Sequence, residues 1–248
     1  MNTDTTYTIE ENTKMIDAAI TEDSGYIVDG IKSKSRVKEN GEVFTPNQTV
    51  NDMMDLLEDE GYRVESKMLE PSCGNGNFLV EILKRKTESV NQRYIDSGDN
   101  IDIYNLNLAI AVSNIYGVDI MPDNINEAIS RLRNGTASDP NHVGYIEQYK
   151  RDTGDDIPEW LDKTLMFIMK RNIQLGNTLT GEKYFARGSV GEPDGNMLIS
   201  EWNFNGTKVK RIDYYMNNLD IVAQDEYREV DYTRIFKQKE LGEKALEC

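Results

Sequence analysis

The chain has 248 residues, 44 of them Asp or Glu against 28 Lys or Arg, and its formal net charge of −16 argues against an unaided grip on nucleic acid. That length supports one sizeable core in a single α/β domain, while two distant cysteines, Cys73 and Cys248, and one histidine, His142, argue against a disulfide scaffold, a zinc site and a histidine-based triad, and no metal is expected. No charged-then-apolar leader and no run of about eighteen apolar residues occur, so we expect a cytoplasmic protein without membrane contact.

Residues 1–40 read as a polar arm or small helical region, with a helix candidate at Ile9–Ile20 and a basic stretch of Lys32, Lys34, Arg36 and Lys38. The main domain is expected over 41–248. It opens with Phe44-Thr45-Pro46, after which Val50, Met53, Met54, Leu56 and Leu57 recur at helical spacing up to Gly61. Next comes Leu69-Glu70-Pro71-Ser72-Cys73-Gly74-Asn75-Gly76-Asn77, in which a short apolar strand ends at a carboxylate and the chain turns through two glycines. Phe78, Leu79, Ile82 and Leu83 then make one helical face, followed by a polar, charge-mixed interval near Asn91–Asn100.

A helix beginning near Ile101 runs into a strand, Ile115–Ile120, with Asp119 near its end. Pro122 lies in the first turn of the following helix, and Gly135 is placed to cap it. Residues 136–170 are acidic and helical, and a third strand ends at Gly176-Asn177. Strands are expected again in Met197–Phe204 and Ile212–Val222, with a helix from Tyr232. Strands that alternate with helices and end in polar turns predict a doubly wound, Rossmann-like and mostly parallel sheet, which binds ligands at the strand C-termini. Glu70–Asn77, Asp119 and Asn177 all fall there.

The glycine loop lacks the third glycine and the acid about 20 residues further on that a dinucleotide fingerprint requires, and no phosphate-loop Lys follows it. S-adenosylmethionine suits the pattern better. Its zwitterionic methionine end is received by loop amides and a nearby acid, its ribose by a carboxylate such as Asp119, and its adenine by Ile120 and Asn177.

Taken in order, Glu42-Val43-Phe44-Thr45-Pro46, the loop Leu69–Phe78, Ile115–Ile120 and Gln174–Leu179 resemble the adenine-specific (N6) DNA methyltransferases of restriction-modification systems, in the class with the Phe-Thr-Pro motif before the glycine loop. The resemblance covers roughly Gly41–Leu179. It implies a SAM-dependent methyltransferase fold, with Phe44 and Thr45 at the methionine end, Glu70, Ser72, Gly74 and Gly76 in the loop, Asp119 on the ribose and Asn177 on the adenine. Asn177 stands where the family usually has Asp.

Such enzymes act on a base taken out of the duplex. The family's (Asn/Asp)-Pro-Pro-(Tyr/Phe) motif, which accepts from the adenine amine and stacks on the base, is absent in its usual form: six prolines include no Pro-Pro pair. The matching place is Asn218, the candidate catalytic residue, with Leu219, Asp220 and Ile221 for the prolines and the ring. Few residues follow it, so a separate target-recognition domain is not expected. The resulting expectation is a SAM-binding protein of phage or mobile-element type with a degenerate catalytic motif, reaching DNA through or with a partner protein subunit. A non-catalytic regulatory subunit and an acidic DNA-mimic acting against restriction are the alternatives.

Overall fold

The computed structural model describes residues 43–136, 142–187, 190–218 and 225–240. The expected Ile9–Ile20 helix, the Lys32–Lys38 stretch, Leu219–Ile221 and Cys248 lie outside them. Two compact units are distinguished, Met1–Pro46 and Asn47–Cys248. Of the first, Val43–Pro46 are described and carry no regular structure.

The second unit is a mixed α/β domain. Helix α1 (Asn47–Asp55) buries Val50 and Met54, one turn apart on one face, and packs on α2 (Asn77–Asp96). Between them lies β1 (Met68–Glu70). Helix α2 continues well past the apolar face legible in sequence. Arg93 in its last turn bonds Glu65 at 2.7 Å and Asn107 at 2.6 Å, and the left-handed Gly98 (φ 71°) lies just beyond its end.

Helix α3 (Ile101–Ser113) is capped by the Asn100 side chain, which accepts from the Asp102 amide, and it buries Tyr104, Leu108, Ala109, Ala111 and Val112. Strand β2 (Ile115–Asp119) is buried throughout. Three helices follow: α4 (Pro122–Asn134), α5 (Tyr145–Thr153) and α6 (Glu159–Asn172). Pro122 opens α4 and Gly135, at φ 75°, closes it, as expected. Strand β3 (Ile173–Asn177) returns the chain to the sheet.

Strands β1, β2 and β3 pair in parallel, in that order. The long helical connections between them permit this. The expectation of a mostly parallel sheet is corrected beyond β3. There the chain reverses in a tight turn, with the Gly181 amide donating to the Asn177 carbonyl at 2.9 Å, and such a turn makes only an antiparallel neighbour. Strands β4 (Glu182–Arg187) and β5 (Val190–Asn196) thus extend the sheet as an antiparallel hairpin. A second, antiparallel sheet holds β6 (Leu198–Asn205), β7 (Lys208–Tyr215), β8 (Asp225–Glu226) and β9 (Val230–Asp231), and the tail Tyr232–Glu240 is a 3-10 helix.

Register decides which face meets what. Leu69, Tyr116, Val118 and Gln174 share one face, because paired residues and alternate residues point the same way. Strand β6 crosses that face. The Tyr116 hydroxyl donates to the Ser200 carbonyl at 2.9 Å, and Gln174 Nε2 donates to the Leu198 carbonyl at 2.5 Å. Gly117 lies on the opposite face, where a Cβ would come within 2.8 Å of Leu79 of α2, so only glycine lets helix and strand approach this closely. The fully buried Leu79, Leu108, Leu132, Leu161 and Leu165 each contribute about 1.5–3 kcal/mol of burial to this core.

Candidate functional site

The loop between β1 and α2 is built from backbone that only glycine adopts easily. Gly74 (φ 50°) and Gly76 (φ 90°) are both left-handed, and Gly76 is the N-cap residue of α2. A Cβ at Gly76 would lie 2.9 Å from Cβ of Ala128, so α4 also excludes larger residues. The start of α2 has no side-chain cap and no acid in its first turn. Its positive end is therefore not neutralised by the helix's own residues.

Asp119 is 8% exposed and joins the loop to the end of β2. Its Oδ2 accepts from the Gly74 amide at 2.9 Å, while Oδ1 accepts from the Met121 amide at 2.8 Å and from Asn124 Nδ2 at 3.2 Å. The sequence marked Asp119 as a ligand residue; the structure adds that it sets the loop and the first turn of α4. Glu70, half-buried at the end of β1, accepts from the Ser72 amide at 3.2 Å, and burial raises its carboxyl above the ordinary value. Cys73 is buried beneath the loop. Burial and the neighbouring Asp119 and Glu70 carboxylates push its thiol up, so it stays protonated and takes no nucleophilic part.

The end of β3 reaches the same place. Thr178 Oγ1 donates to the Pro71 carbonyl at 2.6 Å, and Asn177 Oδ1 accepts from the Leu179 amide at 3.0 Å in the turn that follows. Ile120 is 38% exposed, and its carbonyl lies 2.9 Å from where a Gly191 Cβ would be, so β5 runs close against the end of β2. The structure therefore gathers Glu70, Ser72, Gly74, Gly76, Asp119, Ile120 and Asn177 at the C-terminal ends of three parallel strands. Phe44 is buried and Thr45 half-buried, in the unit that ends at Pro46.

Sequence reasoning passed over the supports of the loop. Arg131 of α4 donates to the Asn75 carbonyl at 2.9 Å and to Asn77 Oδ1 at 2.7 Å, and Asn75 Nδ2 donates to Glu127 at 3.0 Å. Asn75 Oδ1 is buried without a hydrogen-bond partner. The signal was present in the two asparagines flanking Gly76, but their partners are distant in sequence.

Asn218 closes a single 3-10 turn, Met216–Asn218, after β7. That strand pairs antiparallel with β6 in the second sheet, so it stands apart from the parallel strands β1, β2 and β3. The turn nevertheless lies beside the end of β3: the Met216 amide donates to the Met197 carbonyl at 2.9 Å, the Met197 amide to the Gly181 carbonyl at 2.8 Å, and a Cβ at Gly181 would lie 2.8 Å from Cβ of Asn217.

The donor set fits S-adenosylmethionine: an uncompensated helix N-terminus for its carboxylate, carboxylates for its ammonium and ribose, and an exposed aliphatic side chain for its adenine. Among the described residues, no helix is long and apolar enough to cross a membrane and no group of three or more His, Cys, Asp or Glu could hold a metal ion.

Residues 30–147 match the family model of the N-6 DNA methylases. A protein of Methanocaldococcus jannaschii named as a type II restriction enzyme and methyltransferase is 31% identical over 115 residues, 46% of this chain and 9% of that protein. The chain thus matches less than a tenth of the length of that relative. No solved structure matches. The glycine loop, Glu70 and Asp119 all lie inside residues 30–147, the stretch over which the chain is similar to the N-6 DNA methylases.

Proposed function

We propose that the chain is the S-adenosylmethionine-binding part of a DNA adenine-N6 methyltransferase, on a doubly wound Rossmann-like scaffold. A partner subunit supplies target recognition. The observation that carries this reading is the Gly74–Asp119 hydrogen bond of 2.9 Å, which holds the glycine loop and the strand-end acid as one unit. The loop amides and Glu70 hold the methionine end, Asp119 the ribose, and Ile120 and Asn177 the adenine. When bound, the cofactor supplies an electrophilic methyl group. Asn218, beside the end of β3, accepts from the amine of the target adenine.

A second reading, cofactor binding without transfer, is favoured by one observation. The strand leading to Asn218 pairs in the antiparallel sheet, and neither that strand nor the sequence after Asn218 contains a proline. Two measurements on the purified chain separate the readings. Calorimetric titration with S-adenosylmethionine is expected to show one site, and its absence overturns both. Radiolabelled methyl transfer to unmethylated genomic DNA then distinguishes them: label at adenine establishes transfer, and binding without label leaves the second reading.

A further inference from the structure

A cleft of about 470 Å³ lies between the last turn of α6, the hairpin β4–β5 and the β6–β7 pair, and shares no residue with the glycine-loop site. It is lined by Lys170 and Arg171 from α6 and by Lys183 from β4. Among the described residues, none of these three cations forms an ion pair. Arg171 is half-buried; its Nη1 donates to the Phe167 carbonyl at 3.0 Å and its guanidinium lies 3.4 Å from the Phe167 ring centroid. Both contacts fix the fork without neutralising it.

The acids in the cleft do not balance these charges. Asp213 is bound by both arms of Arg211, at 3.0 Å each, and by Ser200 Oγ at 2.8 Å. Only the exposed Asp194 remains. Burial and then the neighbouring Arg211 lower the Arg171 guanidinium to about 10, against the opposing pull of Asp213 and Tyr227. In a chain of net charge −16, such a concentration of positive charge is local and specific.

A cation at a helix C-terminus ordinarily serves the helix dipole, and Arg171 does so through its Phe167 contact. That role does not account for Lys183, which comes from another element, or for the concavity. A planar fork and two ammonium side chains lining one cleft match a tetrahedral oxyanion. The volume admits a phosphate together with an attached sugar.

We propose that this cleft is a phosphate-binding site in which Arg171 supplies the directed hydrogen bonds and Lys170 and Lys183 the charge. The phosphate belongs either to the backbone of a nucleic-acid strand or to a free phosphorylated compound. The site stands independently of the cofactor reading.

The test follows the Arg171 Nε–H resonance of the full chain during titration with inorganic phosphate, with thymidine monophosphate and with a short single-stranded oligonucleotide, against sodium chloride at matched ionic strength. A saturable shift with phosphate compounds and none with chloride is expected. The double variant Lys170→Gln/Lys183→Gln, at two exposed positions, should weaken binding about tenfold or more. A backbone source is identified if the oligonucleotide binds most tightly and its salt dependence falls by about 1.4 in slope in the double variant. Equal affinity for thymidine monophosphate and the oligonucleotide identifies a free phosphoryl group. No saturable shift with any probe, or unchanged affinity in the double variant, overturns the proposal.

Discussion

The Asp119 carboxylate accepts from the Gly74 and Met121 amides, so its removal acts on the loop as well as on a ligand. Asp119→Ala is expected to cost about 2 kcal/mol in urea unfolding, because the buried Met121 amide and the half-buried Gly74 amide lose their acceptor. The same variant should weaken S-adenosylmethionine binding at least about tenfold by calorimetry; unchanged affinity would remove Asp119 from the cofactor site. Gly76→Ala combines a left-handed backbone with a Cβ 2.9 Å from Cβ of Ala128. Its expected cost is about 2 kcal/mol, read from the same unfolding curves, with loss of cofactor binding as the loop shifts. At this scale the ligand candidates were legible, since Gly, Glu and Asp at strand ends carry a local pattern. The supports of the loop, Arg131 and Glu127, were not, because helical side chains reveal their partners only once α4 is docked.

At the scale of elements, α2 is tied to the segment before β1 by one side chain. Lys86 is fully buried, and its Nζ donates to the carbonyls of Arg63 at 2.7 Å, Val64 at 3.2 Å and Ser66 at 2.6 Å. Lys86→Met removes all three donations and is expected to destabilise the protein by about 3 kcal/mol at neutral pH, measured by chemical unfolding. Burial lowers the Lys86 ammonium to about 8. Between that value and the unfolded value of about 10.4, the unfolded chain binds the extra proton, so this residue's contribution to stability rises with pH. The gap between wild type and Lys86→Met should widen accordingly; a constant gap would show that the amine titrates normally. The helices were legible from their 3.6-residue period, whereas β4 and β5 were missed. Gly191, Pro193 and Gly195 interrupt any strand pattern in β5, and β5 tolerates them because an edge strand needs no amide on its open side.

For the whole molecule, alkaline pH is the expected weakness. Tyr104, Tyr116, Tyr145, Tyr149 and Tyr232 are held above the ordinary tyrosine value chiefly by burial, Tyr149 at about 12, and Cys73 is held up likewise. Native groups with raised values keep protons that the unfolded chain releases, so stability falls as pH rises through about 8.5 for the thiol and about 10 for the tyrosines. Lys86 opposes the first part of that fall. The denaturation midpoint should therefore change little up to about pH 10 and drop steeply above it, together with tyrosinate absorbance; a midpoint indifferent to pH would mean that the tyrosines are solvated. The sequence by itself determined the three parallel strand-end turns and the similarity of residues 30–147 to the N-6 DNA methylases, because these depend on short-range patterns of glycine, acid and apolar residues. Only the tertiary structure decided that the sheet reverses after β3, that Asp119 braces the loop, and that Lys170, Arg171 and Lys183 converge on one cleft. Each depends on which distant segments meet, and that is set by packing and strand register over the whole unit rather than by any local run of residues.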